Sequence, residues 1–166
     1  MKVQDIMTTS VRFCDPCTNL AEVARIMWDN DCGAVPVVDR DGKLIGIITD
    51  RDICIAVGTN HRAASDIAAG DVISGQLYAC TPEDGITAAL EAMTLMKVRR
   101  LPVIDSDGAL QGILSINDLV LHAEKGSGKK VTGTTYEDVV DTLKAICEHR
   151  ILEPQEEQGK ARPAGA

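Results

Sequence analysis

Aromatic residues are nearly missing from this 166-residue chain: Phe13, Trp28, Tyr78 and Tyr136 are the whole set, 2% of the sequence. The chain therefore lacks the stacking platforms on which single-stranded nucleic acid is held. Basic residues are outnumbered, 17 Lys and Arg against 25 Asp and Glu, for a net charge of −8. Such a surface is poorly suited to neutralising a phosphate backbone, and the two deficits together argue against nucleic acid as a direct partner. No apolar run approaches the roughly 18 to 20 residues that span a bilayer, so no membrane partner is expected. The opening M-K-V-Q-D-I-M-T-T-S has polar residues where a signal peptide carries a continuous apolar stretch. A cytoplasmic protein is expected, with its six cysteines as reduced thiols. Also missing are a Walker-type loop, a dinucleotide glycine fingerprint and a nucleophile elbow. No nucleophile is paired with an oriented base, and the chain reads as non-enzymatic.

What the sequence does contain is a copy of itself. Residues 5–55 align without a gap on residues 71–121, at an offset of 66, with thirteen identities that include Cys14/Cys80, Pro16/Pro82, Pro36/Pro102 and Asp52/Asp118. Unrelated segments of ordinary composition would share about three. Two copies are too few for a solenoid and point to a pair of like lobes. In each copy a helix carries apolar residues at helical spacing: Leu20, Val23, Ile26 and Met27, then Ile86, Ala89, Leu90 and Met93. Strands at 35–38 and 101–104 carry Pro36 and Pro102, which suit an edge or strand-start position. The turns D-R-D-G and D-S-D-G lead to second strands at 44–48 and 110–114, and second helices begin at Thr49 and Ser115. The fold class is thus α/β (α+β), helix–strand–turn–strand–helix twice over. Boundaries fall at 1–60 and 61–125 for the repeats and 126–134 for a Gly- and Lys-rich linker. A helix at 135–152 follows, with Tyr136, Val139, Val140, Leu143, Ile146 and Cys147 as its apolar stripe. The composition of 153–166 predicts a disordered tail.

The segment G-I-I-T-D-R-D at 46–52 recurs as G-I-L-S-I-N-D at 112–118. Ser or Thr at a helix start with an acid three residues on is the signature of a capping box. The same residues also suit a ligand. Gly46 and Gly112 permit close approach to the backbone, and a helix N-terminus favours phosphate. Asp52 and Asp118 could each accept hydrogen bonds from a ribose diol. The two readings are compatible, since Thr49 and Ser115 can serve both. The C-x-x-C of Cys14 and Cys17 could mark a redox pair or half a zinc site. Cys17 aligns with Glu83, however, and no second ligand pair is present, so small buried side chains account for it as well. No metal is expected.

The doubled P-V-hydrophobic-D, D-G-x-L-x-G-I and G-h-h-[ST]-x-x-D motifs resemble the cystathionine-β-synthase (CBS) domain family, and 5–121 resembles one tandem pair, the Bateman module. The resemblance implies β-α-β-β-α repeats packed about a pseudo-two-fold, with clefts that bind AMP, ADP or ATP, and NAD or S-adenosylmethionine as further ligands, none an obligatory cofactor. It places Asp52 and Asp118 on the ribose, and Thr49, Ser115, Arg99, Arg100 and Arg51 on phosphate or ribose. Cys32 and Val98 fall beside the adenine. Arg99 and Arg100 align with Gly33 and Ala34, so the Asp118 cleft is expected to take the more highly charged phosphate chain; a solvated surface is the alternative for these arginines. The resemblance further implies a homodimer that signals to a protein effector in trans. The rivals are a ligand-free interaction scaffold, whose Asp and Ser/Thr pairs only cap helices, and a thiol redox protein using Cys14 and Cys17.

Overall fold

A computed structural model describes residues 1–73, 77–126 and 133–148. Its elements run α1 (Leu20–Asp29), β1 (Ala34–Val38), β2 (Leu44–Thr49), α2 (Asp50–Asn60), α3 (Ile86–Met96), β3 (Arg100–Ile104), β4 (Leu110–Ser115), α4 (Ile116–His122) and α5 (Tyr136–Cys147). The expected tail, most of the linker and the end of the last helix (127–132 and 149–166) lie outside the described residues.

Each lobe forms for local reasons. The Asn19 side chain accepts from Glu22 N at 3.0 Å and starts α1, whose Leu20, Val23 and Met27 are buried. The β1–β2 and β3–β4 hairpins are antiparallel, pairing Ala34 with Thr49 and Arg100 with Ser115 at their open ends. In each turn an aspartate holds two backbone N–H groups: Asp39 Oδ1 takes those of Asp41 and Lys43, and Asp105 Oδ1 those of Asp107 and Ala109. Gly42 and Gly108 supply the positive φ of 78° and 83°. The leading strand of each repeat is cut to a single parallel bridge. Cys14 N donates to Pro36 O at 3.0 Å and Val38 N to Cys14 O at 2.9 Å, and Cys80 repeats this with Pro102 and Ile104. Pro36 thus turns its donor-less nitrogen away from β2, which is why a proline sits inside this strand.

The two lobes are joined by contacts that obey a two-fold. Leu44 N donates to Gly108 O at 3.0 Å and Leu110 N to Gly42 O at 3.4 Å, a bond and its own mate at an offset of 66. Lys43 and Ala109, also mates, form an antiparallel bridge between them. The lobes also exchange their leading segments. Val3 and Ile6 are buried in the second lobe's core with Leu90, Met93 and Leu101, and Ile86 N donates to Met1 O. Ile67 and Ala69 are buried in the first lobe's core, and Leu20 N donates to Ile67 O.

The exchange explains the strand glycines. A Cβ on Gly46 would stand 2.7 Å from Ile73 Cβ, and one on Gly112 would stand 2.7 Å from Thr8 O. What approaches these glycines in the structure is the chain's own crossing segment. Thr8 then bonds β4 through Thr8 N–Ile113 O at 3.0 Å and Ile113 N–Thr8 O at 2.9 Å.

α5 packs on α3 and α4. Its expected apolar stripe is wider than the face it buries: Val139 is 3% exposed, with Leu143 and Ile146 packed on the second core, whereas Tyr136, Val140 and Cys147 are exposed. Positions i, i+4 and i+7 share one line on a helix, and the others fall on its flank.

Candidate functional site

Where each second strand ends, the backbone turns into a helix and leaves N–H groups without partners. Ser115 N and Ser115 Oγ both donate to Asp118 Oδ2, at 2.8 and 2.6 Å, and Asp118 N donates back to Ser115 Oγ at 3.3 Å. Thr49 and Asp52 repeat this, with Thr49 N and Oγ1 at 2.8 and 2.7 Å from Asp52 Oδ2. Thr135 and Asp138 form the same box at the start of α5. The capping reading is therefore correct at Thr49 and Ser115, and the box at Thr135 is a third that the sequence reading did not single out.

The two lobe carboxylates nevertheless keep one oxygen in reserve. Among the described residues Asp118 Oδ1 accepts only the Thr8 hydroxyl, at 3.5 Å, the outer limit of a hydrogen bond. Among the described residues Asp52 Oδ1 has no partner. Each side chain is pinned by one oxygen and presents the other, which fixes its direction without using its capacity.

Asp118 opens onto a cleft of about 310 Å³ built from both lobes. The second lobe contributes Ser115, Asn117, Asp118, Ile113 and Arg100, and the first contributes Asn30, Asp31, Cys32, Gly33 and Ala34. The segment from Thr8 to Arg12 closes one side. The volume is at the lower end of small-ligand sites. Of the residues singled out from the sequence, the fold brings Asp118, Ser115, Arg100 and Cys32 together here. Arg99 is exposed and does not line this cleft, so the basic pair is divided. Val98 packs against the second core, and Cys32 against the first. At the 66-residue offset the mates of Ser115, Asn117 and Asp118 are Thr49, Arg51 and Asp52, and those of 30–34 are 96–100. Residues 74–76, mates of 8–10 on that side, lie outside the described residues. Asp31 and Lys97, also mates, both have positive φ, 48° and 53°, so each loop reaches its cleft through a strained backbone position.

Thr8, Arg12 and Asn30 carry no motif, and nothing in the sequence singled them out. Thr8 and Arg12 reach the cleft because the leading segment crosses to the other lobe, and Asn30 because the end of α1 docks there with its lobe. A larger hollow of about 450 Å³ on the outer side of α1 is lined by Trp28, Asp31, Asp50 and apolar neighbours, with no cation among its lining residues. It is poorly suited to phosphate.

Cys14 and Cys80 are poorly suited to act as attacking thiols. Burial first, and then the charge of Asp15, push the Cys14 thiol up to about 11, and Cys80 is raised to about 11 by burial and Asp84. An attacking thiol needs the opposite shift. Among the described residues no three His, Cys, Asp or Glu side chains cluster as metal ligands.

Comparison with known proteins agrees with the doubled fold. The family model for the CBS domain matches twice, at residues 3–58 and 69–125. The chain belongs to the CBS-domain family. The CBS domain-containing protein YhcV of Bacillus subtilis is 30% identical over 139 residues, 82% of this chain and 97% of that protein. The crystal structure of Hypoxic Response Protein I, with two coordinated zinc ions, is 30% identical with a TM-score of 0.69, over 75% of this chain and all of that one. The structure of CBSX2 in complex with AMP is 25% identical with a TM-score of 0.64, over 72% of this chain and 93% of that one. The mixed α/β pair of lobes read from the sequence is thus the observed CBS-pair fold.

Proposed function

We propose that this chain is a non-enzymatic regulatory module that takes an adenosine nucleotide, AMP, ADP or ATP, into clefts between its CBS lobes. The observation that carries the reading is the Asp118 carboxylate, held by Ser115 through Oδ2 and offering Oδ1 to a cleft that Arg100 also lines. A ribose diol has two donors for such an oxygen, and hydrogen bonds to charged groups contribute about 1.5–3 kcal/mol each. Arg100 and Arg12 supply cations for the phosphate, Cys32 a small wall for the base. The AMP complex of CBSX2 supports the same ligand class. Because the cleft draws on both lobes, a ligand in it stabilises one lobe arrangement over another by its difference in affinity for the two.

Trp28, Leu95 and Leu121 are 86, 75 and 79% exposed, which supports a protein-binding surface for a homodimer or an effector in trans. Light scattering with and without AMP reads that directly.

The test of the ligand is thermal melting with AMP, ADP, ATP, NAD, S-adenosylmethionine and 2′-deoxy-AMP. At 100 times its Kd a ligand stabilises the fold by about 2.7 kcal/mol. For this length that is a rise of roughly 5–10 °C. A rise with AMP or ATP that shrinks with 2′-deoxy-AMP and in Asp118→Asn is the expected result. No shift with any compound at millimolar concentration refutes the reading and leaves the scaffold.

A further inference from the structure

One face of the second lobe is covered by a helix, and the first lobe has the same face bare. α5 packs on α3 and α4, and its Val139 shares the second core with Leu119 and Ile116 of α4, which are 0 and 8% exposed. At the offset of 66 the mates of Leu119 and Ile116 on α2 are Ile53, half-buried, and Asp50, exposed. Both line the hollow of about 450 Å³ on α1, with Met27 as part of its floor. Trp28, 86% exposed, lines it too, and its mate Thr94 lies on α3 in the groove beside α5. Residues 64–66 pack on α1 but do not line the hollow. Among the described residues no helix of the first lobe stands where α5 stands in the second.

The two faces differ in charge at one pair of mates. Lys97 and Asp31 share a backbone conformation, with φ of 53° and 48°. Lys97 Nζ lies 3.3 Å from Glu148 O and 3.7 Å from Glu148 Oε2, and so fastens the end of α5. Asp31 lines the hollow with no hydrogen-bond or ion-pair partner among the described residues. Asp50 adds a second carboxylate where the second lobe has Ile116. Arg100 Nη2 comes to the Gly33 edge of the hollow, yet among the described residues it pairs with neither acid. A helix seated here as α5 is seated on the second lobe would meet carboxylates where α5 meets an ammonium. α5 itself, with Glu148 at that end, has the wrong sign. The complementary occupant carries a cation there, and the indole of Trp28 offers the same cation an aromatic face.

We propose that the α1–α2 face of the first lobe docks an amphipathic helix of a partner protein in the manner of α5, with an apolar line over Met27 and Ile53 and a lysine or arginine in the place of Glu148. This is the helix-in-groove mode of recognition. It deepens the effector reading above and does not depend on the nucleotide. Asp31, Cys32 and Gly33 line both this hollow and the Asp118 cleft, so the docked helix bears on one wall of that cleft.

Trp28 is the only tryptophan of the chain, and its emission reports on this face. The probe is a synthetic amidated peptide of residues 134–148, in its native form and with Glu148→Lys, titrated into the full chain. The Glu148→Lys peptide should change the emission saturably, with a Kd about five- to tenfold below that of the native peptide, the difference between opposite and like charges in one exposed pair. Asp31→Lys in the chain should reverse the order of the two peptides, and the mate position already holds lysine on the same backbone. If that variant does not fold, the wild-type comparison of the two peptides decides. No saturable change at millimolar peptide, equal affinities, or an order that Asp31→Lys leaves unchanged overturns the proposal. So does an emission that shifts without peptide when Lys160→Ala and Arg162→Ala are combined, which makes the chain's own C-terminal segment the occupant. An emission that shifts with protein concentration makes it a second copy and overturns the proposal equally. None of these outcomes bears on the nucleotide reading, which the melts with AMP test separately.

Discussion

Gly112→Ala should be among the most damaging single-methyl additions to this chain, although it lies in a strand and removes no contact. The new Cβ would meet Thr8 O at 2.7 Å and Met7 Sδ at 3.1 Å. Methionine can swing aside, but a backbone oxygen moves only with its strand. That oxygen accepts from Ile113 N at 2.9 Å while Thr8 N donates to Ile113 O at 3.0 Å, so relieving the overlap strains or breaks this pair. Overpacking of this kind costs about 1–3 kcal/mol, and each lost hydrogen bond about 0.5–1.5 more. A loss of about 2–4 kcal/mol corresponds to a fall in Tm on the order of 10 °C for a chain of this length. Gly58→Ala is the control, since its Cβ would meet nothing within 4 Å and it lies inside α2, where alanine favours the helix by roughly 0.5–1 kcal/mol. Calorimetry or circular dichroism melts of the two variants give the comparison. A Gly112→Ala protein that melts within about 2 °C of the wild type would show that the leading segment does not cross to β4 as described. Rescue by adding Met7→Ala would show instead that sulfur, and not the backbone, sets the limit.

Three further outcomes follow from burial. Cys17, Cys54 and Cys147 are exposed and should alkylate readily near pH 8, while Cys14 and Cys80, raised to about 11, should react last; mass spectrometry of a time course reads the order. A thiol pKa raised in the fold gives stability that is complete below the unfolded value near 9 and is lost as pH climbs through about 11, so Tm should fall across that window, and less so in Cys14→Ala. Val139→Asp places a charge at a 3% exposed site against α3 and should release α5, seen as early proteolysis after residue 126, with the melting of the lobes changed far less.

Much of the local structure was written in the sequence. Thr49 and Ser115 begin helices because a hydroxyl and an acid three residues on satisfy one turn's worth of backbone, and that chemistry needs nothing beyond the segment itself. The turns at Asp39 and Asp105, the buried line of Ile86, Ala89, Leu90 and Met93, and the doubling at an offset of 66 were legible for the same reason. The α5 stripe was only half legible, because periodicity shows which residues are apolar and not how wide a surface waits to receive them.

The tertiary structure decided whatever depends on which distant segment arrives. Gly46 and Gly112 read from the sequence as openings through which a ligand approaches the backbone, and the fold instead fills them with Ile73 and Thr8. Thr8 and Arg12 join the Asp118 cleft because residues 1–9 pair with the second lobe, a choice made by long-range strand pairing and core burial. The division of Arg99 from Arg100 has the same origin: Arg99 precedes β3 and Arg100 opens it, and only the packing of the two lobes determines which of them lines the cleft. Sequence thus fixed the parts and their caps, while the two-fold docking of like lobes determined which side chains share a site.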